Sequence, residues 1–187
     1  DSGTTVCALA EAFRAQPIRP LTVVTSNLPV GEMLAAIEGV EVFQIAGQLL
    51  HLQSTLLGEA AARSIEFWSF DIAFLSAEGM DADGLWNSQA AIVAQQRVVL
   101  QRSRRHVFCI DSSKVNRKAP HFLLSWGELD LLLTDAPHEK LARLGIKLGD
   151  EHYVSASGSS ASARRGPGDA GSRVETRGGD EMPVHIL

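Results

Sequence analysis

Five residues, Asp1-Ser2-Gly3-Thr4-Thr5, are of the types and spacing that cradle a phosphate. Gly3 lets the backbone turn where a Cβ would clash, and Ser2, Thr4 and Thr5 bring hydroxyl donors. The spacing of Val6, Leu9, Ala10 and Phe13 predicts a helix over residues 4–16, and its unpaired first-turn N–H groups point at the same spot. Asp1 either orients the loop or hydrogen-bonds a sugar hydroxyl beside the phosphate. A plain helix cap accounts for the same Ser and Thr residues, so the loop alone leaves both readings open. A second polar group, Asp111-Ser112-Ser113-Lys114, closes an apolar run; Lys114 there neutralises a phosphate or is a solvated surface lysine. Asp81 and Asp83 fit a ligand-binding pair and an ordinary Asp-rich turn equally. The histidines and the two cysteines, Cys7 and Cys109, have no metal-ligand spacing, and no residue pattern calls for a cofactor.

These groups need elements to bring them together. Leu21–Thr25 is a β-branched run and reads as a buried strand, with Ser26-Asn27 at its carboxyl end and Pro29 opening a helix. That helix runs through Met33, Leu34 and Ile37 to Gly39, and residues 40–45 form the next strand. Residues 49–57 fit no single period and read as a connection, followed by a short helix over 59–65. Residues 70–76 read as a strand, with residues 78–84, including Gly79 and Asp81, as a polar loop at its end. The longest helix spans 89–103, and strands at 107–110 and 129–133 run into Asp111–Lys114 and Thr134-Asp135. A helix at 138–144 and a weak strand at 146–148 close the body. Strand, polar loop and helix in alternation imply a mostly parallel α/β sheet flanked by helices with right-handed crossovers. In such sheets ligands bind outside the carboxyl ends of the strands. Asp1–Thr5, Ser26-Asn27, the Gly79–Gly84 loop, Asp111–Lys114 and Asp135 are therefore expected to converge.

Residues 1–154 form one expected α/β domain. Residues 155–187 differ in kind: Ser, Gly, Ala and Arg dominate, and apolar anchors are nearly absent. Such a stretch buries too little surface to offset its ordering entropy, so a disordered tail is expected; a shifted reading frame gives the same composition. The 45% hydrophobic and 21% charged shares are ordinary globular values. A formal net charge of -5 argues against a nucleic-acid-binding module, which would normally be basic. With both cysteines reading as reduced thiols, no signal peptide and no apolar stretch of membrane-spanning length, a cytoplasmic protein without membrane contact is expected. A phosphate-cradling loop ordinarily follows a strand, and none precedes Asp1, so the natural chain is expected to extend upstream.

The ordered set Asp1–Thr5, Leu21–Thr25 with Ser26-Asn27-Leu28-Pro29, Phe70-Asp71-Ile72-Ala73-Phe74-Leu75, Asp111–Lys114 and Leu133-Thr134-Asp135 resembles the C-terminal sensor domain of DeoR-family bacterial transcriptional regulators. The likeness runs over residues 1–146. It implies a fold related to ribose-5-phosphate isomerase and the CoA-transferases, and a ligand site built from Asp1, Ser2, Gly3, Thr4, Thr5, Ser26, Asn27, Gly79, Asp81, Asp111 and Lys114. It also implies binding of a phosphorylated sugar or related metabolite that relieves repression. Operator DNA would be contacted only through a preceding winged helix-turn-helix, which is absent here, and a homo-oligomer is expected.

Several positions depart from the family pattern. Its Thr-Asn-Ser reads Thr25-Ser26-Asn27, and its paired glycines read Ala46-Gly47. Its Ser-Gly-Ile-Asp reads Glu78-Gly79-Met80-Asp81, which brings an extra carboxylate near the anion site; an anionic ligand meets repulsion there unless Glu78 points away or pairs with a cation. Ala91 and Ile92 stand where a Glu pair is common, and Gln96 where Lys is. Two other classes fit less well. A sugar-phosphate isomerase needs a placed general base; Asp81, Asp83 or Glu78 could in principle serve, but the loss of those carboxylates leaves no well-placed pair. A decayed, non-binding relative would account for the departures and the tail.

Overall fold

The structure, a computed structural model, describes residues 1, 3–156 and 184–186. The chain runs α1 (Thr4–Ala15), β1 (Leu21–Thr25), α2 (Leu28–Ala35), β2 (Val40–Gln44), β3 (Gln48–Leu50), β4 (Thr55–Leu57), α3 (Glu59–Glu66) and β5 (Ala73–Leu75). It continues through β6 (Gly79–Met80), β7 (Leu85–Asn87), α4 (Ala90–Arg102), β8 (His106–Cys109), β9 (His121–Leu124), β10 (Leu131–Thr134), α5 (His138–Arg143), β11 (Tyr153–Ser155) and β12 (Val184–Ile186).

The centre is parallel. A four-stranded set in the order β11-β10-β8-β5 stands beside a three-stranded set in the order β12-β1-β2. Ile186 pairs with Val23 on one side and bridges Ile72 on the other, joining the two sets through β12. All five residues of β1 are buried, as a strand covered on both faces by helices requires. Asn27 caps α2 by accepting the Val30 N–H at 3.1 Å, with Pro29 in the first turn. The larger core cluster includes the fully buried Phe70, Leu75, Phe108, Leu132 and Leu141; a smaller one joins Ala10, Leu21, Val23, Val30, Leu34 and Ile186.

The mixed α/β sheet and the helices follow the sequence expectation closely, and the differences have local causes. The supposed connection over 49–57 contains the antiparallel pair β3-β4, joined by a 3-10 turn at His51–Gln53 with Ser54 in the left-handed region. The supposed polar loop over 78–84 is largely the hairpin β6-β7, which adds β9 to make a small antiparallel sheet. Two- and three-residue strands show no readable alternation; their partners supply the pairing. No strand forms at 146–148, where Ile146 and Leu148 are core anchors and the His138 ring bonds the Leu148 carbonyl. The edge strand is β11 instead, paired with β10 and secured by the Tyr153 hydroxyl, which donates to the Ala136 carbonyl at 2.8 Å. The expected domain end at 154 therefore falls inside a strand. Of the expected structureless tail, residues 157–183 and 187 lie outside the described residues, while Val184–Ile186 forms β12. Among the described residues no helix is long and apolar enough to cross a membrane.

Phe108 has no exposed surface and lies in β8, between β5 and β10. Phe108→Ala removes a ring from the centre of the larger cluster and costs about 3–5 kcal/mol, read from the urea midpoint at unchanged m-value.

Candidate functional site

Gly3 is the N-cap of α1 with φ 124°, and no side chain caps the helix there. A Cβ on Gly3 would stand 3.0 Å from the Ser76 hydroxyl in a conformation that L-residues rarely adopt. The first-turn N–H groups have no preceding carbonyl to bond, and the helix dipole adds partial positive charge at the same point. The capping explanation of this loop therefore has no support from the N-cap side chain, which a glycine lacks.

Facing it are the carboxyl ends of β5 and β8. Beyond β8, Asp111 caps the 3-10 turn Ser112–Lys114 by accepting the Ser113 N–H at 2.9 Å. Asp135, just past β10, accepts both the N–H and the hydroxyl of Ser112. These bonds, the Ser112 hydroxyl first, hold the Asp135 carboxyl below the usual aspartate range, against a smaller effect of burial. One strand end thus fixes the next, and Lys114 is carried on the fixed turn.

The loop, the turn and neighbouring residues enclose a polar cavity of about 190 Å³. Gly3, Thr4, Thr5, Asp111 and Lys114 all line it, so five of the eleven expected ligand residues meet in one place. Ser2 lies outside the described residues. The other five are close by but do not line the cavity. The Asp1 carboxylate accepts from the Ser76 N–H at 2.8 Å and from the Gln96 amide at 2.7 Å. Ser26 is buried, its hydroxyl accepting from Thr55, and Asn27 caps α2. Gly79 is packed so closely that a Cβ would stand 2.3 Å from the Arg117 carbonyl oxygen. Asp81 accepts from the backbone N–H groups of Asp83 and Gly84 and from the Trp86 indole, and pairs with Lys118 at 3.4 Å.

The cavity wall also includes Gln53, Ser76, Ala77, Glu78, Asn87, Ile92, Cys109 and Ile110. Gln53 and Asn87 come from segments whose pairing the sequence conceals; Ser76 and Ile110 follow β5 and β8 and were findable as strand-end neighbours. Burial pushes the Cys109 thiol up to about 11, so it is a neutral part of the wall at pH 7. Trp86 packs against Phe122 at 5.0 Å and under Lys118, and does not line the cavity. Among the described residues no group of three or more His, Cys, Asp or Glu side chains is placed to hold a metal ion.

Residues 1–136 match the family model of the DeoR C terminal sensor domain. The chain belongs to the DeoR sensor-domain family. It is 31% identical over 138 residues to the glycerol-3-phosphate regulon repressor of Escherichia coli K12, covering 73% of this chain and 54% of that protein. It is similar at 26% over 136 residues to a putative aga operon transcriptional repressor of Escherichia coli O157:H7, covering 72% and 50%. Identity to the HTH-type transcriptional repressor GlcR of Bacillus subtilis is 24% over 155 residues, covering 82% and 59%. The chain spans about half the length of the curated relatives it matches.

Within this DeoR sensor domain, Asp81 is the organising acceptor of the β6-β7 hairpin. Burial works to raise its pKa, but the Trp86, Asp83 and Gly84 donors and Lys118 outweigh it and hold the carboxyl below the usual range. Asp81→Ala leaves these donors unpaired and destabilises the fold by about 1–3 kcal/mol. Because the folded pKa is depressed, the carboxylate's contribution is full above the ordinary value of about 3.9. It disappears as pH falls through the lower folded value. Denaturation of wild type and variant across that range checks this: the stability gap narrows on acidification.

Proposed function

We propose that this domain senses a phosphorylated sugar or related metabolite and controls DNA binding by a winged helix-turn-helix that precedes it in the full-length protein. The observation carrying this reading is the open N-terminus of α1, uncapped at Gly3, lining one cavity with Lys114. Phosphate oxygens take N–H donors from Gly3–Thr5 and the hydroxyls of Thr4 and Thr5. Lys114 adds charge, and Asp111 accepts from sugar hydroxyls. Asp1, Ser26, Asn27, Gly79 and Asp81 act as supports that hold those groups in place. The names of the relatives agree with this role, since all three proteins described above are repressors and one governs a glycerol-3-phosphate regulon.

Ligand acts by population shift. It biases the attached DNA-binding modules only by as much as it prefers one arrangement of the protein. A homo-oligomer would present two such modules to an operator with matching two-fold symmetry.

Thermal denaturation with phosphorylated sugars, including glucose 6-phosphate and glycerol 3-phosphate, tests the reading. A ligand at a hundredfold its Kd adds about 2.7 kcal/mol, which raises the Tm by roughly 5–10 °C in a chain of this size. Gly3→Val, folded by circular dichroism, loses that rise. Wild-type protein indifferent to every phosphorylated sugar, or a Gly3→Val variant responding equally, contradicts the assignment.

A further inference from the structure

The cavity wall holds a charge that a simple sugar phosphate leaves unanswered. Glu78 lines it, half-buried, and among the described residues its carboxylate has no hydrogen-bond or ion-pair partner. Lys114 is the one cation among the lining residues, and no ion pair joins it to Glu78. The nearby Lys118 is committed to Asp81 and Asp83. The main chain that carries Glu78 is fixed at the cavity wall. Its N–H donates to the Trp86 carbonyl at 3.0 Å, and the next residue, Gly79, abuts the Arg117 carbonyl so closely that even a Cβ is excluded. The wall therefore presents an uncapped helix N-terminus and Lys114, which suit an anion, together with the carboxylates of Glu78 and Asp111. Asp111 has a partner in the Ser113 N–H; among the described residues the Glu78 carboxylate has none.

We propose that Glu78 is a specificity-determining residue that selects a ligand carrying a protonated amine as well as a phosphate, that is, an amino-sugar phosphate. The inference rests on the phosphate-site reading above. A phosphate dianion beside an unpaired carboxylate meets like-charge repulsion, and sugar hydroxyls bonding Glu78 do not remove it. An ammonium on the sugar ring cancels the repulsion and supplies charge-assisted donors to the carboxylate. One ligand thereby satisfies both ends of the cavity.

Calorimetric titration of the chain with glucosamine 6-phosphate and galactosamine 6-phosphate, each against its parent hexose 6-phosphate, tests the assignment. In at least one pair the amino sugar is expected to bind ten times or more tightly than its parent. In Glu78→Gln that ratio falls toward one while the parent phosphate binds as well as before or better. Equal affinities in both pairs, or a preference that survives Glu78→Gln, overturn the role of Glu78 and leave the phosphate site standing. Absence of binding by all four compounds overturns this inference; the phosphate site falls with it only if glycerol 3-phosphate also fails to bind.

Discussion

The Asp1 carboxylate is the contact on which the cavity depends. It receives the backbone N–H of Ser76 at 2.8 Å, the Ser76 hydroxyl at 3.2 Å and the Gln96 amide at 2.7 Å. These bonds pin the loop at the start of α1 to the carboxyl end of β5 and to the buried face of α4. Gln96 extends the connection: it donates also to the Ser76 carbonyl and accepts from Asn87, which lines the cavity. A buried carboxylate is costly unless it is hydrogen-bonded, and here one of its oxygens receives three donors from two separate elements. Breaking this joint would free the very N–H groups that face the cavity.

That arrangement shows how neighbouring departures from the family pattern fit together. Gln96 stands where the family commonly carries a lysine, and it serves Asp1 with neutral amide donors while offering its own oxygen to Asn87. Ile92 replaces a common carboxylate and gives the wall an apolar patch. Glu78 moves a carboxylate to another part of the same wall.

The parallel layers were legible because their signals are long and local. Leu21–Thr25 announces a buried strand by β-branching, and α4 announces itself by length and terminal residues. Strand-end motifs were findable because a parallel sheet sends all its carboxyl ends to one side. The small strands were hidden. Gly79–Met80 and Leu85–Asn87 are too short to show alternation; they pair with each other, and Leu85–Asn87 pairs in turn with His121–Leu124, some 35 residues away. Asp81 illustrates the resulting ambiguity: its type and turn setting suit a ligand contact, and only the positions of Trp86 and Lys118 reveal a structural acceptor. Ser26 and Asn27 carry the same lesson, since a polar pair after a strand serves equally as helix cap and as ligand donor. Val184–Ile186 gave no signal within its polar surroundings, because three residues gain their place only between β1 and Ile72.

The central claim is that a phosphate binds where α1 begins and where the turn after β8 carries Lys114. Amide chemical-shift mapping on titration with a phosphorylated sugar tests it most directly. The largest perturbations are expected on the N–H signals of Gly3, Thr4 and Thr5 and on residues 111–114. Perturbations centred instead on Asp81–Trp86 or on the β3-β4 hairpin, or none at millimolar ligand, would contradict it.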